Sequence, residues 1–98
     1  MKAIWKNQII AKSDDTVVIE GNHYFPPASV EREYLEESDH TSICPWKGEA
    51  HYYDIVVGEE KNENAAWYYP VSKEGSVERV GQDFANYIAF WNGVEVTP

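Results

Sequence analysis

The sequence predicts a mainly β fold: a single compact domain, residues 1–98, built from two small sheets with one short helix. Runs rich in β-branched and aromatic residues recur along the chain, and polar or glycine-containing segments separate them, which is typical of strands joined by turns. One longer segment has the helical spacing of apolar residues. The length of 98 residues suits one domain with one core.

The first part of the chain is expected to form a β-hairpin and then the helix. Residues 3–10 and 16–20 are rich in β-branched side chains, and the polar residues between them suit a tight turn. Two prolines then precede residues 28–37, where Val30 and Tyr34 lie four positions apart on one face. This pattern predicts a short amphipathic helix that depends on packing for its stability.

The second half of the chain is expected to consist of strands. Residues 41–45 and 64–69 favour extended structure, and residues 49–57 alternate as a strand does, with Tyr52 and Tyr53 on opposite faces. Residues 77–80 suit a helical turn. The pair Asn92 and Gly93 separates two apolar runs, residues 85–91 and 94–97, which predicts a terminal hairpin.

Charge and cysteine content narrow the class of protein. The chain has 17 acidic and 8 basic side chains, for a formal net charge of −9. Nucleic-acid-binding proteins need clustered Lys and Arg, so no nucleic-acid partner is expected. A single cysteine excludes an intramolecular disulfide, and no run approaches the roughly 20 apolar residues of a membrane span. We therefore expect a cytoplasmic protein with no membrane contact.

Lys47 is the basic residue that most needs an explanation. It is the only cation between Arg32 and Lys61, in a segment that also contains several carboxylates, tryptophans and tyrosines. An ammonium group walled by aromatic rings suits an anionic ligand, and with a lowered pKa it would act as a nucleophile. A surface lysine that lies over an aromatic ring or pairs with Glu49 is the plainer alternative.

Other residues offer weaker signals of chemistry. Cys44 lies three positions before Lys47, and a nearby cation favours a reactive thiolate, with His40 or His51 as its base. A buried, inert thiol is the alternative.

Glu20 ends an apolar run and suits a general base or a counterion. The histidines and neighbouring carboxylates lack a metal-binding spacing, so no metal is predicted. Phosphate-binding loops and hydrolase motifs are also absent.

Four blocks of sequence together resemble the DUF427 family of small bacterial proteins. These blocks are VIEGNHYFPP (residues 18–27), CPWKG (44–48), AAWYYP (65–70) and IAFW (88–91). The resemblance covers nearly the whole chain and implies a β-dominated fold related to the β-tent, or Mss4-like, architecture. Better-known members of that architecture bind zinc through paired CxxC motifs, which this sequence lacks, so no zinc or other cofactor is predicted.

The resemblance also implies a shared site. The family blocks place there Glu20, Tyr24, Pro26, Lys47, Gly48, Tyr53, Trp67, Tyr69 and Phe90. A nucleotidyltransferase-like label is sometimes attached to the family, but such a site needs carboxylates that share magnesium, and the pair Asp14 and Asp15 lies in a predicted turn.

The leading hypothesis is a module that binds a small molecule with an anionic or carbonyl end. The ligand-binding residues are expected to be Glu20, Tyr24, Lys47, Tyr53, Trp67 and Tyr69. Two alternatives stay open. One is an enzyme of unknown reaction type that uses Lys47 or Cys44 as its nucleophile. The other is an interaction module in which the aromatic residues form a homodimer face.

Overall fold

About half of the residues lie in β-strands. The computed structural model describes all residues, Met1–Pro98. The regular elements are β1 (Lys2–Trp5), β2 (Gln8–Lys12), β3 (Val17–Ile19), β4 (Asn22–Tyr24), β5 (Leu35–Cys44), β6 (Gly48–Val57), β7 (Glu60–Tyr68), α1 (Ser76–Val80), β8 (Ile88–Phe90) and β9 (Glu95–Thr97). The helix α1 includes the helical turn predicted at residues 77–80. No helix has the length and apolar character needed to cross a membrane.

Antiparallel pairing groups these strands into three sheets. One sheet has the order β2-β1-β9, the second is the ribbon β3-β4, and the third has the order β5-β6-β7-β8. The mainly β class is therefore confirmed. Two sheets were expected and three form, because the N-terminal strands divide differently from the prediction.

The predicted hairpin of residues 3–10 with residues 16–20 is wrong. The chain reverses earlier, at Lys6 and Asn7, which both have positive φ, and β1 pairs with β2 across this turn. As a result β3 pairs with β4 around a second tight turn at Glu20 and Gly21. Residues 3–10 therefore form parts of two strands and not one, and the ribbon β3-β4 forms a separate sheet.

The predicted helix over residues 28–37 is also wrong. The segment forms two short 3₁₀ turns, Pro27–Ser29 and Arg32–Tyr34, and β5 follows at once. Between the turns the chain is extended, and the Glu31 N–H donates a hydrogen bond of 2.8 Å to the carbonyl of Ile10. This pairing with β2 interrupts the helical hydrogen bonds, and an isolated helix of ten residues is too short to resist it.

The central strands agree with the sequence analysis. Strands β5 and β6 cover the predicted extended segments apart from Pro45, and β7 begins at Glu60, before the predicted start at residue 64. The prediction of a C-terminal hairpin is wrong, although Asn92 and Gly93 do have positive φ. Strand β8 pairs with β7 and strand β9 pairs with β1, so this turn carries the chain from one sheet to another.

The four-stranded sheet packs on both faces. One face and the β2-β1-β9 sheet share a core formed by Ala3, Ile10, Ala11, Phe25, Val30, Ile55, Ala65, Ala66, Ile88 and Phe90. The other face and the β3-β4 ribbon share a second core formed by Ile19, Tyr24, Ala50, Tyr69, Phe84 and Ala89. The ribbon thus brings the Glu20 turn to the face of the sheet that carries Tyr52 of β6 and Trp67 of β7.

Candidate functional site

Lys47 lies in the tight connection between β5 and β6. Cys44 and Gly48 are paired where the connection begins and ends. Gly48 has a φ of 118°, which other residues rarely adopt, and a Cβ there would lie 3.2 Å from the carbonyl oxygen of Val71. The Lys73 N–H donates a 3.0 Å hydrogen bond to the Lys47 carbonyl. The close approach at Gly48 therefore holds the backbone that presents Lys47.

The Lys47 side chain is buried and fully charged. Only 6% of the residue is exposed, and Nζ donates a hydrogen bond to Oε1 of Glu20, with which it forms an ion pair. The ring centroids of Trp46 and Tyr69 each lie 5.4 Å from Nζ. A buried charge is costly unless it is paired, and aromatic faces add further attraction for a cation. The surroundings of Lys47 therefore supply a partner for its charge.

Glu20 approaches Lys47 from the turn of the β3-β4 ribbon. Glu20 and Gly21 both have positive φ, as hairpin turns of two residues require. The hydrogen bond and the charge of Lys47 lower the pKa of the Glu20 carboxyl, and burial opposes them weakly. The Glu20 side chain is 56% exposed, so water solvates the carboxylate while it pairs with the buried ammonium.

The pKa of Lys47 bears on the alternative of a nucleophilic lysine. Burial lowers this pKa, but the hydrogen bond to Glu20 and the nearby Tyr24 and Tyr69 raise it by more, so the net pKa lies above its ordinary value. A nucleophilic lysine needs a lowered pKa, since the neutral amine is the reactive form. The geometry therefore suits Lys47 as a hydrogen-bond donor with a positive charge.

An open cleft of about 250 Å³ adjoins Lys47. It is lined by Lys47, Tyr52, Trp67, Tyr69 and Trp91. Tyr52 and Trp67 are directly paired across β6 and β7, so their side chains lie on the same face of the sheet. The Trp91 ring lies edge-to-face with Trp67 at a centroid distance of 6.2 Å. The cleft thus combines four aromatic walls with a single cation.

Tyr24 supports the floor of the cleft. It is fully buried, and its hydroxyl oxygen accepts a 3.0 Å hydrogen bond from Nε1 of Trp67. The Tyr24 ring also packs against Tyr69 and Phe84, at centroid distances of 6.4 and 6.3 Å. Burial, aided by Tyr24, raises the pKa of Tyr69 to about 12, against a smaller opposing effect of Lys47. Tyr69 therefore keeps its phenolic proton at neutral pH.

The structure brings five of the six predicted site residues together. Lys47, Trp67 and Tyr69 line the cleft, Tyr24 lies beneath Trp67, and Glu20 holds Lys47 from outside the cleft.

Tyr53 is the predicted site residue that lies elsewhere. It packs on the opposite face of the sheet, where its ring stacks on Tyr68 at 4.7 Å and its hydroxyl accepts a 3.1 Å hydrogen bond from Arg32. Its neighbour Tyr52 takes the place in the cleft. Because successive strand residues point to opposite faces, the alternation separates Tyr52 from Tyr53 but does not show which of the two faces the cleft.

Tyr52 and Trp91 line the cleft but were not among the predicted residues. Tyr52 shares its face of β6 with buried Ala50, and its hydroxyl lies 2.9 Å from the hydroxyl oxygen of Ser42. Trp91 follows β8, and its Nε1 donates a 2.6 Å hydrogen bond to the carbonyl of Asn64. Trp91 belongs to the IAFW block, but only the pairing of β8 with β7 brings it to the cleft.

The residues considered for nucleophilic or metal chemistry are dispersed. Cys44 is partly buried beside the second core. The histidines contact other side chains: His23 Nδ1 lies 2.8 Å from Thr16 Oγ1, the His40 ring lies 4.6 Å from that of Tyr52, and His51 Nε2 lies 2.8 Å from Glu49 Oε1. No three His, Cys, Asp or Glu side chains gather in an arrangement that would hold a metal ion.

Comparison with known proteins identifies the family and no individual relative. No curated protein matches the chain significantly. Residues 1–97 of the 98 match a family whose description is a domain of unknown function, DUF427. The match spans both cores and every residue of the cleft. The chain therefore belongs to the DUF427 family.

Proposed function

We propose that this protein binds a small molecule in the cleft beside Lys47. The observation that carries the proposal is the position of Lys47, whose ammonium is buried beside the rings of Trp46 and Tyr69 and which is the one cation lining the cleft. Ligand sites typically combine apolar or aromatic walls with a few polar groups that orient the ligand. The four rings supply such walls, and Lys47 supplies the orienting donor.

The shape of the cleft favours a small, flat ligand. Its volume of about 250 Å³ lies just below the usual range for small-molecule sites, roughly 300–1,000 Å³. Aromatic side chains stack on planar rings or meet their edges, and indole or phenyl groups fit this preference. A hydrogen-bond acceptor on such a ring would reach the ammonium of Lys47. The proposed ligand class is therefore a planar ring that carries an acceptor group.

A matched pair of probes tests this proposal. Indole-3-acetamide and indole-3-acetate share one ring and differ in the charge of the acceptor. Titration is followed by NMR through the indole N–H resonances of the four tryptophans. The resonances of Trp67 and Trp91 are expected to shift, whereas that of Trp5, which packs beside the first core, is expected to stay in place.

A lysine variant then tests the role of Lys47. Lys47→Met is expected to abolish the shifts, because the ring has lost its polar anchor. Lys61→Met is the matched control, since Lys61 pairs with Glu36 at 3.0 Å outside the cleft. Unchanged binding by Lys47→Met would overturn the role of Lys47. An absence of shifts with both probes in the unmodified protein would contradict the binding function itself.

A further inference from the structure

Glu20 contacts Lys47 but does not line the aromatic cleft. The Glu20 side chain lines a separate shallow cleft of about 240 Å³, together with Val18, Ile19, Trp46, Arg79 and Val80. It does not line the aromatic cleft, although its carboxylate is hydrogen-bonded to Lys47 Nζ. Lys47 therefore lines the aromatic cleft, whereas its counterion lines the neighbouring one.

The charge of Lys47 is already compensated before any ligand arrives. Glu20 supplies one negative charge to the one cation that lines the aromatic cleft. Arg79 lies over the Trp46 ring, 4.2 Å from its centroid, and its charge favours the ionised form of Glu20. Arg79 does not line the aromatic cleft. The whole protein, at −9, adds no attraction for a further anion.

This arrangement has different consequences for neutral and charged acceptors. An ammonium has three N–H donors, and Lys47 uses one of them on Glu20. A carbonyl oxygen can accept another without disturbing the ion pair. A carboxylate would have to share the cation with Glu20, and two like charges close to one cation repel each other.

Resting on the binding function proposed above, we propose that Glu20 makes the cleft selective for ligands with a neutral acceptor, such as an amide or ketone carbonyl, over carboxylates. Glu20 acts on the ligand through Lys47 and is a specificity-determining residue. The proposal narrows the ligand class to planar, uncharged molecules whose ring enters the aromatic walls and whose carbonyl reaches the ammonium.

The two indole probes test this selectivity in the unmodified protein. At neutral pH the acetate is ionised and the acetamide is not, and Glu20 is ionised because its pKa is lowered. Indole-3-acetamide is expected to bind about tenfold more tightly than indole-3-acetate, the ratio that a repulsion of about 1.4 kcal/mol between two largely solvated carboxylates would produce. Equal or tighter binding of the acetate would overturn the proposal and leave the binding function standing.

Variants of Glu20 separate its charge from its shape. Glu20→Gln is expected to reverse the preference in favour of the acetate, whereas Glu20→Asp keeps the charge and is expected to retain the preference for the acetamide. Glu36→Gln is a closely matched control, because Glu36 is 57% exposed and also pairs with a lysine, Lys61. It is expected to leave the preference unchanged. A shift with Glu36→Gln equal to that with Glu20→Gln would point to net charge and overturn the role of Glu20.

The outcomes for the two proposals are distinct. If neither probe binds the unmodified protein, the binding function fails. If both bind with equal affinity, the binding function holds and the selectivity fails. The comparison of probes in the unmodified protein decides the selectivity even if Glu20→Gln does not fold.

Discussion

Lys47 and Glu20 form an ion pair between residues 27 positions apart, in which the ammonium is buried and the carboxylate is 56% exposed. The pair joins the β5–β6 connection to the β3-β4 ribbon. Its asymmetry matters for stability, because removal of either partner leaves a different group behind. The buried ammonium depends on the carboxylate more than the half-exposed carboxylate depends on the ammonium.

The asymmetry predicts unequal effects of the two substitutions on the free energy of unfolding. Glu20→Gln leaves a buried cation without its counterion and is expected to cost about 1–3 kcal/mol. Lys47→Met leaves a carboxylate that water already solvates and is expected to cost under about 1 kcal/mol. Urea denaturation of both variants measures the difference. A larger loss for Lys47→Met would contradict the burial argument.

The same pair predicts a dependence of stability on acidity. The pKa of Glu20 is lowered in the folded protein, so its contribution is present above the ordinary value of 4.5 and is lost as the pH falls through the folded value. Lys47, whose pKa is raised, stays charged throughout this range. The destabilisation by Glu20→Gln is therefore expected to shrink between about pH 7 and about pH 3.

A series of urea titrations on the unmodified protein and Glu20→Gln measures this change. Asp83 also has a lowered pKa, because it accepts hydrogen bonds from the Ala85 backbone and from Ser72. Asp83→Asn in both backgrounds removes that separate contribution. A difference between the two proteins that stays constant with pH would contradict the prediction.

The hydrogen bond from Trp67 to Tyr24 predicts that Trp67→Phe is costly. The substitution leaves the fully buried Tyr24 hydroxyl without this donor, and the expected loss is about 1–3 kcal/mol of unfolding free energy. Trp91→Phe is the control. Trp91 also donates through Nε1, to the Asn64 carbonyl, but it is 53% exposed, so a loss of about 0.5–1 kcal/mol is expected. Equal losses in thermal or urea unfolding would contradict the role given to Tyr24.

The close approach at Gly48 predicts a strong effect of Gly48→Ala. Its φ of 118° is strained for alanine at a cost of about 1–3 kcal/mol, and the new Cβ would crowd the Val71 carbonyl. Gly58→Ala is the matched control, because Gly58 also has positive φ but has open space around it. It is expected to cost only about 1–2 kcal/mol. Urea unfolding compares the two variants, and a smaller loss for Gly48→Ala would contradict the contact argument.

The central strands could be predicted from the sequence because their signals are local. Alternation in residues 49–57 and the β-branched and aromatic content of residues 64–69 indicate strands before any packing is known. The helix predicted over residues 28–37 rested on an equally regular pattern, but this helix does not form. Its extended residue Glu31 pairs with Ile10, and a contact between segments so far apart leaves no mark on local spacing.

Some residues of the candidate site could likewise be predicted from the sequence, and others could not. The isolation of Lys47 among aromatic residues was visible in the sequence, and so were Trp67 and Tyr69 as its companions. Only the tertiary structure decided that Tyr52 and not Tyr53 faces the cleft, because the choice depends on which face of β6 meets the β3-β4 ribbon.

A mainly β chain with one unusual cation follows from the sequence, since side-chain type and spacing govern strand formation and charge. The contacts of that cation come from the tertiary structure. Sheet pairing brings the Glu20 turn to Lys47 and gathers the four aromatic rings of the cleft, and these contacts arise between segments that are distant in sequence. Burial and pairing of a charge are properties of that assembly, so no local pattern could specify them.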